Sequence, residues 1–210
     1  MNNKLYAAKN SIIKQKKLYR IIITLMIFGI ISGILFIFFI SKESKTKALV
    51  SIKNFFDLMN TSTGVNYGKS LLNTLVNNIG YVLLIWLLGI SIIGLPITII
   101  LAFMKSFIVG FSISSIISCY KAKGILGAFL YVFPHQIIIL FIYLLLSFYS
   151  ISFSIKLFKS LFLKQTINFR VVMQKYIKIL LISLIGIIIV SLYEVFISTY
   201  FIKLFTMLLK

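Results

Sequence analysis

Apolar positions along this chain fall into long runs rather than alternating with polar ones. Residues 21–40 form the first, from Ile21 to Ile40. A membrane-spanning helix needs about 20 predominantly apolar residues. Backbone groups in lipid must be satisfied within the segment, so such runs predict helices even where they are rich in Ile and Phe. The next run is harder to divide. Residues 79–111, IGYVLLIWLLGISIIGLPITIILAFMKSFIVGF, carry a single charge, Lys105, and a Gly94-Leu95-Pro96 break. A turn at Lys105 leaves one overlong and one short segment. A turn at 94–96 leaves spans over 75–93 and 97–120, each close to the required length, and Pro is favoured at the start of a helix while Gly tolerates a left-handed turn. The length criterion favours the turn at 94–96, although Pro96 could also kink a continuous helix.

Residues 124–155 are uncharged and divided by Pro134. Either a helix starts at Pro134 with 125–133 lying in the interface, or one span runs through a proline kink; the sequence leaves both open. The last run covers 178–201. The expectation is an all-α polytopic membrane bundle of five spans. Between the first and second spans, KALVSIKNFFDLMN at 47–60 places Leu49, Ile52, Phe56 and Met59 at helical spacing against a polar face. It predicts an amphipathic helix within a loop at 41–74, whose apolar face would lie on the membrane surface or dock a partner.

Charge sets the expected orientation. Residues 1–20 hold six basic and no acidic residues, and residues 156–178 hold six more: Lys156, Lys159, Lys164, Arg170, Lys175 and Lys178. The positive-inside rule puts the segment 1–20 and the loop 156–177 in the cytoplasm. The first span is then a retained signal anchor, the loop 41–74 is external, the N-terminus lies inside and the C-terminus outside. The net charge of +19 is read as orientation signal and contact with anionic headgroups rather than as a nucleic-acid footprint, because the basic residues cluster between apolar runs.

Candidate chemistry is sparse. The acids are Glu43, Asp57 and Glu194, with one histidine, His135, and one cysteine, Cys119. No pair has metal-ligand spacing, no phosphate loop or nucleophile elbow appears, and no catalytic, cofactor or metal site is expected. The residues that stand out are polar ones inside apolar runs: Lys105, His135 and Glu194. By helix rise Lys105 lies about 14 Å from the inner surface and Glu194 about 10 Å from the outer one, so the two could pair in a core about 30 Å thick. Charges at such depth are costly and either pair or line a path. Ser91, Ser112, Ser114, Ser115 and Ser118, with Gly89, Gly94 and Gly110, offer small surfaces for close helix packing.

The segment IWLLGISIIGLPITIILAFMKSFIVGFSISSII (85–117), with FPHQIIIL (133–140), FSIKLFKSLFLK (153–164) and SLYEVFIS (191–198), resembles the stage II sporulation protein M family. Where broader relatives carry Pro-His-Gly and a following Glu, this chain has Gln136 and Ile139. The resemblance implies a non-enzymatic membrane scaffold in the mother-cell septal membrane during engulfment. Its implied partners are stage II sporulation proteins P and D, which cut septal peptidoglycan. The alternative from the residues themselves is a transporter or channel subunit with Lys105, His135 and Glu194 lining a polar path.

Overall fold

A computed structural model describes residues 2–60, 67–163 and 166–209. The described residues are helical with short connections and contain no strand. Helix α1 runs Asn2–Phe39, α2 Lys42–Asn60, α3 Tyr67–Ile90 and α4 Gly94–Gly127. A π-helical turn at Ala128–Val132 leads into α5, Phe133–Phe162; α6 is Phe169–Leu192, and a second π turn at Tyr193–Ile197 leads into α7, Ser198–Leu209.

Four stretches are long and apolar enough to cross a membrane: Lys16–Phe39, Tyr67–Ile90, Gly94–Phe162 and Phe169–Met207. The third has 69 residues and would extend roughly 100 Å if straight, several times the bilayer core. It instead doubles back at Lys121, whose φ of 53° and ψ of −130° interrupt α4. Beyond that point Gly124 closes on the backbone of Ile116 and Ile117, and Ser150 of α5 returns to Thr98 near the start of α4. The chain thus supplies five apolar rods. Many large apolar side chains face outward, among them Phe38, Phe39, Ile93 and Met207, while Thr98, Ser106, Ser147, Ser150, Ser154 and Ser191 are buried. That inversion suits a lipid solvent, where small and hydroxylated residues let helices approach closely.

Two parallel pairs organise the bundle. In the first, α1 meets α4: Ile22 packs with Ala102, Gly29 with Phe103 and Ser106, and Phe36 with Phe107 and Phe111. Gly29 and Gly33 form a GxxxG step on α1, and Thr98, Ala102, Ser106, Gly110 and Ser114 recur every fourth residue on α4. A Cβ at Gly33 would strike the backbone at Phe107 and Phe111, and one at Gly110 the Ile30 carbonyl. Only glycine permits this approach.

In the second pair, α3 meets α5 in a fixed register of 65 residues. The Tyr143 hydroxyl donates toward the Asn78 carbonyl at 3.4 Å, Ser150 to the Ile85 carbonyl at 2.9 Å and Ser154 to the Gly89 carbonyl at 2.8 Å. Ser154 also lies 3.0 Å from the Ser91 carbonyl, satisfying groups that the end of α3 leaves open. Helix α6 runs against this pair. Tyr176 stacks on Phe153 (4.6 Å between centroids) and on Trp86 (5.6 Å), and farther along Gly186 meets Ile142.

Three expectations differ from what is observed. The break between α3 and α4 falls at Ser91–Ile93, ahead of Gly94-Leu95-Pro96, which already lies in the first turn of α4. Proline fits there because a first-turn N–H has no intrahelical partner. Gly94 has no positive φ; it is small because a Cβ would run into Leu88 of α3. At Pro134 the helical path continues rather than breaking. The preceding π turn, closed by the Phe133 N–H on the Ala128 carbonyl, lies just where the proline ring and its missing N–H would disturb an α-helical ladder. Finally, α2 folds onto its own bundle. Phe56 is 1% exposed, edge-on to Tyr120, Tyr131 and Phe205, with Ile52 and Phe55 beside it and Leu49 half-buried. The apolar face expected to meet an outside partner is largely spent on intramolecular packing; the side chain of Met59 lies outside the described residues.

Candidate functional site

Lys105, His135 and Glu194 come from three different elements, α4, the start of α5 and the second π turn. The fold gathers them in the interior. Tyr81 lies ten residues before Ser91 and Lys105 eleven after Gly94, so the α3–α4 turn brings both to about 15 Å above it. The Lys105 ammonium sits 5.5 Å from the Tyr81 ring centre and 5.3 Å from that of Tyr143. Both rings are fixed: the Tyr81 hydroxyl donates to the Leu101 carbonyl, Tyr143 is held at Asn78, and the two rings lie 5.0 Å apart. Cation–π contacts of this kind gain strength when water is removed.

Glu194 lies within electrostatic reach of Lys105 but makes no direct ion pair with it. Its charge is also felt at Tyr131 and Tyr143. His135 is 2% exposed, its ring 5.5 Å from that of Tyr131, and it too lies within reach of Lys105. Its Nε2 is 3.2 Å from the Gln136 amide nitrogen, while its Nδ1 has no hydrogen-bond partner. Both π turns border this cluster. One presents Tyr131 and leads to His135, and the other carries Glu194. Such turns are costly, rare and frequent at functional positions.

The arrangement can hold a cation against two aromatic faces with a carboxyl group and an imidazole at short range. A cation, an acid and an imidazole from three elements tie α3, α4, α5 and the α6 end together more specifically than apolar contact could. Among the described residues no group of three or more His, Cys, Asp or Glu side chains could hold a metal ion. Cys119 is half-buried, its Sγ 3.9 Å from the Leu49 carbonyl, in a packing position between α4 and α2. The sequence reasoning singled out the three ionisable members and missed Tyr81, Tyr131, Tyr143 and Asn78. Their signal was tyrosine in mid-run, away from the interfacial belts where it is usual.

A family model described as Stage II sporulation protein M matches residues 22–199, from the first apolar rod into α7. No curated protein and no solved structure matches the chain.

Proposed function

We propose, from the premise that the chain belongs to the stage II sporulation protein M family, that it is a membrane scaffold for septal peptidoglycan degradation during forespore engulfment. The family makes it a sporulation-related integral membrane protein, and the family is not known as a catalytic one. The scaffold would sit in the mother-cell septal membrane, N-terminus in the cytoplasm and C-terminus outside, and position the hydrolases, stage II sporulation proteins P and D. The observation that carries the reading is the extent of the match. It spans nearly the whole bundle, so the family's role resides in the packed helices themselves rather than in an appended domain. Positioning partners asks for a rigid body with specific outer surfaces, and the interlocked α1–α4 and α3–α5 pairs support that.

The test is affinity capture of the tagged full chain from sporulating cells in mild detergent. Both hydrolases are expected in the eluate. Their absence, with the bundle intact and at normal level, would count against the scaffold.

A second reading, a transporter or channel subunit, is favoured by one observation: Lys105, His135 and Glu194 share one interior cluster. It differs from the scaffold in what Glu194→Gln should do. A path would lose its activity, while a scaffold that still assembles would not lose its partners.

A further inference from the structure

Between α2, α4 and the first π turn lies a groove of about 340 Å³. Ala48, Ser51 and Phe55 form one wall, Phe111 and Ser115 the other, and Tyr131 the floor. Ser115 is 1% exposed, and its hydroxyl has no hydrogen-bond partner. A buried hydroxyl on an apolar wall is costly unless a ligand satisfies it.

Depth narrows the occupant. Phe111 to Ile116 lie 17 to 22 residues beyond Gly94, or about 25–33 Å along α4. The hydrocarbon core is about 30 Å thick, so the groove sits where acyl chains meet their ester carbonyls. Size narrows it further. Two turns of a helix about 10 Å across fill roughly 850 Å³, too much for this groove, whereas its volume lies in the small-ligand range. Charge supplies the last constraint. Helix α2 bears Lys42, Lys45, Lys47 and Lys53 against Glu43 and Asp57, and the exposed Lys121 lies at the adjacent chain reversal. Lys45 lies over the Phe38 ring at 5.8 Å, Lys47 pairs with Glu43, and the charge of Lys53 reaches Cys119 on α4.

We infer that this groove binds an anionic glycerophospholipid of the leaflet bordering α2. One acyl chain lies between α2 and α4, the Ser115 hydroxyl donates to an ester carbonyl, and the headgroup faces the α2 lysines. The lipid would complete the contact of α2 with the bundle, so α2 is held by a membrane component as well as by Phe56.

The test uses the purified full chain in detergent with phosphatidylglycerol bearing a photoreactive group on one acyl chain. Phosphatidylcholine of identical chains is the comparison, and peptide mapping locates the adducts. Adducts on Ala48–Phe56, Phe111–Ile116 and Tyr131 are expected, with at least about 5-fold more from the glycerol lipid. Ser115→Phe, which fills the groove, and Ser112→Phe at its side should each lower these adducts about 10-fold. Replacing Lys45, Lys47 and Lys53 together by Gln should erase the headgroup preference and leave the chain adducts. Adducts spread evenly over the lipid-facing sides of α1 and α6, or equal labelling by both lipids in the wild-type chain, would overturn the inference; both readouts come from the unmodified protein.

Discussion

Gly33→Leu and Gly110→Leu are each expected to destabilise the bundle by about 3 kcal/mol or more, the upper end of overpacking costs. The reason is the identity of the atoms in the way. A Cβ at Gly33 meets the Phe107 carbonyl and the Phe111 amide, and one at Gly110 meets the Ile30 carbonyl. Helical backbone cannot swing aside as a side chain can, so α1 and α4 must separate along their whole seam. The rings of Phe28 and Phe36 would lose their contacts with Phe103, Phe107 and Phe111. Thermal unfolding in detergent, followed through the single Trp86, reads the effect. Gly80→Ala is the control: nothing lies within 4 Å of its Cβ, and replacing a mid-helix glycine should stabilise by about 0.5–1 kcal/mol. Equal melting of all variants would mean that the parallel α1–α4 contact does not form in the membrane protein.

Lys105→Glu is the second large effect, expected at about 4 kcal/mol, as for breaking a buried charge pair. It removes the ammonium from the Tyr81 and Tyr143 faces and places a second carboxyl group within reach of Glu194. Glu194→Gln should cost less, about 1–2 kcal/mol, because Lys105 keeps both rings and only a longer-range attraction is lost. The geometry also predicts the outcome of a charge swap. Lys105→Glu with Glu194→Lys restores opposite charges but leaves the ring faces without a cation, so rescue should be partial, with a coupling of about 1 kcal/mol or more in the double-mutant cycle. Complete rescue would make the rings irrelevant. A double variant as damaged as the sum of the singles would mean the two charges do not interact.

The helical membrane class was legible because run length and lipid chemistry leave few choices. Local geometry was less so. Gly94-Leu95-Pro96 marks the α3–α4 boundary, but a proline is compatible with a turn and with a first helical turn, so the pattern could not distinguish 91–93 from 94–96. The conformation of Lys121 carries no sequence signal, since a positive φ at lysine is imposed by the hairpin it closes. Depth arithmetic could suggest that Lys105 and Glu194 lie near each other. It could not supply Tyr81 and Tyr143, which a hydropathy pattern counts as apolar, because ring placement depends on helix rotation. The amphipathic pattern of 47–60 showed an apolar face but not its occupant. The aromatic cluster of Phe56, Tyr120, Tyr131 and Phe205 brings together residues as much as 149 positions apart, beyond the reach of any local pattern.

If helix surfaces carry the function and the Lys105–Glu194 cluster only holds the bundle together, binding of partners should survive loss of the Glu194 charge. The most direct test captures tagged wild-type and Glu194→Gln chains side by side from sporulating cells, at matched membrane levels, while engulfment is scored in the same cultures. The account predicts both hydrolases in both eluates and engulfment proceeding in both strains. Engulfment lost while both hydrolases remain bound to Glu194→Gln would contradict it and move the working part to the interior cluster.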